Sequence, residues 1–255
     1  MTPPFETADN LAVIAGVRHG FFGRRGGQSS GDFAANNVSF SVGDDMDVVA
    51  GNRGGCLVAL GLEPSKLTMV RQVHSARVHV ATAGEETDAI EADALVTASR
   101  GLALGILTAD CTPILLADPE AGVIAAAHAG WRGAVDGVVE KTIATMLELG
   151  AEPGRIRAAI GPTISGANYE VGTAFANDLL AQAPHAAAHL FTPPVGKPHF
   201  ALPDFVREKL NRAGIASIES VGGCTYAHPD RYFSHRFATH QGTRAGRQIA
   251  IIALV

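Results

Sequence analysis

Between Leu102 and Gly133 the chain reads LALGILTADCTPILLADPEAGVIAAAHAGWRG. Three strand-like runs follow one another here, Leu102–Ala109, Pro113–Ala117 and Gly122–His128, each bounded by Gly, Pro or Asp. Such a stretch must end up as core. Yet it carries its most ionisable dipeptide, Asp110-Cys111, in the middle of the apolar run. A buried carboxylate without a partner is costly, so any fold must either turn the chain at this point or provide for Asp110. The Thr112 and Pro113 that follow suit a turn.

Further strand-like runs are Leu11–Val17, Leu67–Val73, Arg77–Ala81, Ala94–Thr97, Ile156–Ile160, Ile215–Val221 and Arg247–Leu254. Helical periodicity is clearest after HAGWRG, where Val135, Val138, Val139, Ile143, Met146 and Leu147 share a face that Gly150 stops. Val48–Leu60, Asn168–Ala183 and Leu202–Ala213 read as further helices, and Asp204 suits the positive end of the last. FTPPVGKPHF, Phe191–Phe200, reads as a surface loop between two helical patterns. Helices interrupt the strands at irregular intervals, which favours an α+β class over a doubly wound sheet. With no linker in sight, residues 1–255 are expected to form one domain.

At 47% hydrophobic and 18% charged residues, disorder is excluded on composition. A net charge of −5 and the lack of any basic run argue against a nucleic-acid partner. No apolar run is long enough for a membrane span, and the N-terminus lacks a secretory pattern. Cys56, Cys111 and Cys224, odd in number and far apart, do not form a disulfide framework, so a cytoplasmic setting is expected. Neither G-x-G-x-x-G nor G-x-x-x-x-G-K-[ST] occurs.

His74, Cys111 and His128 each stand where a strand-like run ends or turns. Their long spacings do not suit a structural zinc knuckle, but they do suit a site assembled from several strand ends. Two imidazoles and a thiolate would leave a fourth position open on zinc, for water or substrate. Copper is also compatible with these donors, while availability in a reducing cytosol favours Zn2+ over Cu2+. A Cys-His nucleophile dyad fits the same residues, and the residues alone do not separate it from a metal site. Arg18, Arg24, Arg25, Arg53, Arg132, Arg236, Arg244 and Arg247 form a second tier that could clamp an anion such as phosphate. Trp131 reads first as a core anchor for its helix.

The blocks RQVHSARV, ADALVT, LGILTADCTPILLAD, IAAAHAGWRG, AAIGPTISGANYEVG and CTYAHPDRYFSHRF…GTRAGRQ resemble those of the YfiH family, also called DUF152 or laccase-domain proteins. The resemblance runs from about Arg18 to the C-terminus. It implies a layered αββα sandwich, the YfiH-like fold, with His74, Cys111 and His128 at the positions of the family's zinc ligands. The activity it implies is purine nucleoside phosphorolysis, with adenosine deamination at the same site and a nucleoside and phosphate as small-molecule partners. The names polyphenol oxidase and peptidoglycan editing factor are also attached to the family. For the deamination Asp110 becomes the expected proton shuttle, and for the phosphorolysis Arg53 and Arg236 become the phosphate ligands. Asn37 is then a polar substrate contact, with Arg132 a further substrate-binding candidate.

Laccase chemistry needs many histidines, and the chain has ten but no H-x-H pair. An amide hydrolase acting on cell-wall precursors through Cys111 and His128, or through zinc-bound water, and a non-catalytic partner protein stay open alternatives. A monomer or small homo-oligomer is expected. Two departures stand out. Ser75 replaces the usual Gly after the first histidine and is expected to narrow the site. SHRF at Ser234–Phe237 replaces Ser-Tyr-Arg-Arg, so Phe237 removes an arginine for which His235 or His240 would have to compensate.

Overall fold

The structure is a computed structural model that describes residues 2–64 and 67–255. The first half contains β1 (Phe5–Glu6), α1 (Asp9–Ala12), β2 (Val17–Phe22), α2 (Met46–Ala59), β3 (Leu67–Thr68), β4 (Val78–Val80) and β5 (Ala94–Thr97). The central hairpin region follows as β6 (Ala103–Thr108), β7 (Thr112–Asp118), β8 (Val123–Ala129), α3 (Trp131–Asp136) and α4 (Val138–Glu148). The last part runs β9 (Arg157–Ile160), α5 (Thr173–Gln182), β10 (Leu190–Phe191), β11 (His199–Phe200), α6 (Leu202–Arg212), β12 (Ser217–Ser220), α7 (His235–Gln241) and β13 (Gln248–Leu254).

The strands build two mixed sheets and a small hairpin of β10 with β11. One sheet has the order β1-β2-β13-β6-β3 and the other β12-β9-β7-β8-β5-β4. Strand period sorts the side chains into layers. Along β7, Leu115 and Ala117 enter the space between the sheets, where Phe21, Leu104, Ile106, Ala250 and Ile252 meet them. Ile114 and Leu116 face the other way, onto Val139, Ile143 and Met146 of α4 and Phe205, Val206 and Leu210 of α6. On the outer face of the first sheet, Ile249, Ile251 and Ala253 of β13 pack against Cys56 and Leu57 of α2. The order is therefore helix, sheet, sheet, helices, the αββα sandwich that the family resemblance implies. Each fully buried Leu or Ile contributes roughly 1.5–3 kcal/mol of transfer free energy to this stack.

Local readings change at several points. Leu11–Val17 is not a strand: Leu11 and Ile14 anchor the short helix α1 and its turn, and pairing begins at Val17. The helix expected after HAGWRG is two helices, because Gly137 at φ 94° caps the end of α3 and opens α4. Strand β2 and helix α7 carry no strong pattern, and α7 owes its start to the Ser234 hydroxyl, which accepts the Phe237 N–H. Among the described residues no helix is long and apolar enough to cross a membrane.

Candidate metal centre

The polar break in the apolar run is a corner between the sheets. Strand β6 belongs to one sheet and β7 to the other, and only Ala109, Asp110 and Cys111 connect them. Asp110 takes φ 87°, a left-handed conformation rare outside glycine, and this turns Cys111 onto the end of the sandwich. The corner is tied down on the Asp110 side. Its carbonyl accepts from Ile164 N (3.0 Å) and Thr163 Oγ1 (2.9 Å). Its carboxylate accepts from Thr225 Oγ1 and from the Arg236 backbone N–H, both at 2.6 Å. The buried charge is thus partnered.

His74 also sits at φ 58°, on the loop that leaves β3 of one sheet for β4 of the other. His128 lies within β8, buried. One residue holds both, and it is not among those singled out from the sequence. Asp93, fully buried just before β5, accepts His128 Nδ1–H at 2.8 Å on Oδ1, and His74 N–H at 3.0 Å on the same oxygen. Its Oδ2 accepts from Ser75 N (2.6 Å), Ser75 Oγ (2.8 Å) and Val73 N (3.3 Å). The register explains the meeting: Ala94 pairs with Ala127, so the preceding Asp93 falls opposite His128, whose N–H donates to the Asp93 carbonyl. Burial alone would raise the Asp93 pKa, yet the His128 and Ser75 hydrogen bonds hold it at about 2. A carboxylate just before the buried strand ALVT is as costly as Asp110 in its own run, and that signal could have found it.

With Nδ1 committed to Asp93, His128 presents Nε2 to the centre. The donor atoms of His74, Cys111 and His128 lie within 4.8 Å of one another, with Cys111 Sγ 3.7 Å from His74 Nε2. A tetrahedral zinc with bonds of about 2.0–2.3 Å has donor–donor edges of roughly 3.3–3.7 Å, which the Cys111–His74 separation matches, and the three donors stand close enough together to converge on such an ion. Gly130 keeps the space clear: a Cβ there would come 2.6 Å from His74 Cδ2 and 3.3 Å from Cys111 Sγ. Burial opposes ionisation of Cys111, but His128 and His74 pull its thiol down to about 6. Burial likewise opposes protonation of His128, which the Cys111 thiolate and Asp93 push up to about 9. Both shifts favour a thiolate beside an imidazolium in the metal-free site.

Two cavities open on the centre, of about 640 and 320 Å³, and His74, Ala109, Cys111 and His235 belong to the walls of both. Arg53 and Arg247 line the larger; Asp110, Trp131, Arg132, Tyr169 and Arg236 line the smaller. Arg53 and Arg236, paired from the sequence as phosphate ligands, are thus in different cavities. Asn37 is in neither. It is fully buried, donating to Asp44 Oδ2 and the Ser39 carbonyl and accepting from the Ser39 and Arg247 N–H groups, and so braces the wall behind Arg247.

Arg18 and Arg24 donate to backbone carbonyls and Arg25 pairs with Asp230, all outside the two walls. Ser75 does not narrow the site, because its hydroxyl turns to Asp93. Phe237 packs on Tyr226, and His240 Nδ1 pairs with the Tyr226 hydroxyl; only His235 reaches the cavities. Trp131 serves twice, edge-on to Phe175 in the helical layer and on the wall of the smaller cavity.

An αββα sandwich with a two-histidine, one-cysteine centre at the crossing between its sheets defines a metal-capable enzyme scaffold. Residues 18–255 match the family described as multi-copper polyphenol oxidoreductase laccase, and the chain belongs to that family. It is 45% identical over 240 residues to a purine nucleoside phosphorylase of Corynebacterium glutamicum, covering 93% of this chain and 94% of the relative. It is 35% identical over 264 residues to adenosine deaminase RL5 from an unknown prokaryotic organism, covering 95% of each. The crystal structure of the Bacillus licheniformis hypothetical protein YfiH superposes with a TM-score of 0.88 at 28% identity, covering 99% of both chains. The family description speaks of several coppers, whereas the described residues contain one group of three or more donors suited to a metal, His74, Cys111 and His128.

Proposed function

We propose that the protein is a zinc-dependent purine nucleoside phosphorylase acting on adenosine, inosine, guanosine or methylthioadenosine, with adenosine deaminase activity as a side reaction. The observation that carries this reading is a single His/His/Cys centre on which two arginine-lined cavities converge, room for two substrates at one point. The names of the relatives agree with it. His74, Cys111 and His128 would hold the ion, which when bound supplies a Lewis acid and lowers the pKa of water. The one three-donor group found among the described residues does not suit laccase chemistry, which needs several coppers.

The chain's own groups do the remaining work. Asp93 fixes the His128 tautomer and the His74 loop, so the donors are preorganised. Asp110, on the wall of the smaller cavity, is the proton carrier for deamination. In phosphorolysis the C1′–N9 bond breaks and a C1′–O bond to phosphate forms, with the proton of hydrogen phosphate passing to the departing base. Zinc-loaded protein given each nucleoside with phosphate should release free base and pentose 1-phosphate. No phosphate-dependent product from any of them sinks the reading.

One observation favours a second reading, a hydrolase acting on an amide of a cell-wall precursor. The lowered Cys111 thiol, His128 and Asp93 stand in the order of a nucleophile, a base and its orienting carboxylate. Cys111→Ser separates the two. Loss of bound metal marks a ligand, and retained metal with lost amidase activity marks a nucleophile.

A further inference from the structure

The arginines around Cys111 differ in what they have left to offer. In the larger cavity, Arg53 donates Nε–H to the Val38 carbonyl (2.7 Å) and lies 4.1 Å over the Phe40 ring. Arg247 donates from Nη1 to the carbonyls of Ala245 (2.9 Å) and Gly246 (3.0 Å). Those contacts fix each guanidinium. They leave Nη1 and Nη2 of Arg53, and Nε and Nη2 of Arg247, without a partner among the described residues. Both are half-buried, burial lowers the pKa of both, and neither forms an ion pair among the described residues. Asp88 on the same wall is felt by Arg53 without pairing with it, and Arg71 is already paired with Glu91. Partly dehydrated cations with fixed, unspent N–H groups are what a dianion needs, and without one their burial is a cost.

The smaller cavity offers flat faces. The guanidinium of Arg132 lies 5.1 Å from the Trp131 ring centre, and that of Arg236 5.3 Å over Tyr169 while donating to the Glu170 carbonyl. Ile164 and Leu202 complete an apolar wall, with the Asp110 carboxylate at its edge. Stacked cation–aromatic pairs beside aliphatic side chains suit a planar heterocycle better than a compact dianion.

We propose that the centre divides its substrates, inorganic phosphate being held by Arg247 and Arg53 in the larger cavity and the purine ring by the Trp131–Arg132 and Tyr169–Arg236 faces of the smaller. The pentose then lies at the shared wall by His74, Cys111 and His235. The assignment rests on the phosphorylase reading and goes beyond it by naming which arginines meet which substrate. It also places the leaving base on the side of Asp110.

Steady-state kinetics on zinc-loaded protein tests the division, with inorganic phosphate and inosine varied in turn. Arg247→Met should raise the phosphate KM about tenfold or more with the inosine KM within about twofold, and Arg247→Lys should recover part of the loss. Adenosine deamination in phosphate-free buffer should survive Arg247→Met. Arg236→Met should do the reverse, raising the inosine KM and sparing phosphate. Should Arg247→Met misfold by circular dichroism, Arg53→Gln carries the same expectation. The opposite split in KM, or an unchanged phosphate KM in both variants, overturns the division and leaves the phosphorylase reading standing. Calorimetric titration of wild-type protein with phosphate isolates the other failure, since no binding and no phosphorolysis remove both together.

Discussion

Asp93 spends its whole carboxylate on the two histidine positions, one through a ring and one through a backbone loop. Asp93→Asn keeps the shape but cannot accept at both oxygens, so zinc affinity should fall about 10–100-fold, read by competition with a chelating dye. The sign of its titration follows from a pKa held below the unfolded value. The stabilisation, about 2 kcal/mol, is complete above pH 4 and is lost as pH falls toward 2. Acid unfolding of metal-free protein should show that loss, and Asp93→Asn should flatten it. Cys111, with its thiol pulled down to about 6, should alkylate in metal-free protein at a rate that holds from pH 8 to near 6 and drops below, unlike an ordinary thiol. Gly130→Ala drives a methyl into His74 and Cys111 and should abolish metal binding while the far-ultraviolet spectrum stays native. His74, Cys111 and His128 could be picked out from the sequence because each stands where a strand-like run ends or turns. The cost of a carboxylate beside ALVT could have flagged Asp93, but its role could not be read, because its partner lies 35 residues away across the β5–β8 register.

Among the elements, β7 and β13 carry the layering, each handing alternate side chains to different cores. Leu115→Ala opens a void between the sheets and should cost about 2–5 kcal/mol in urea unfolding. The strands of this central region stand in the sequence almost to the residue, since unbroken apolar runs between Gly, Pro and Asp leave little else to form. Elements at the margin were not legible in the same way. Strand β2 contains His19 and Gly20, and His19 is there to accept the Ala8 N–H, a tertiary reason with no local pattern. Helix α7 spans Tyr-less, lysine-less HRFATHQ and begins where Ser234 caps it, so propensity alone says little. The arginines show the same limit, for chain position does not reveal that Arg53 and Arg236 line separate cavities.

In the molecule as a whole, the centre lies where the chain passes from one sheet to the other. His74 follows β3 of the first sheet, Cys111 the β6–β7 corner between both, and His128 belongs to β8 of the second. Metal removal should therefore lower the melting temperature of the entire protein. A free-ion concentration near 100 times the dissociation constant is worth about 2.7 kcal/mol, and restoring zinc should reverse the change. The corner of Ala109, Asp110 and Cys111 has one more consequence. A slip of one sheet along the other by a single residue moves a donor about 3.3 Å, nearly the 3.7 Å that separates Cys111 Sγ from His74 Nε2. The position of the sulfur thus gauges the alignment of the seam of the sandwich, and under the proposed metal role a misaligned seam would be read out as a lost ion before any strand has come undone.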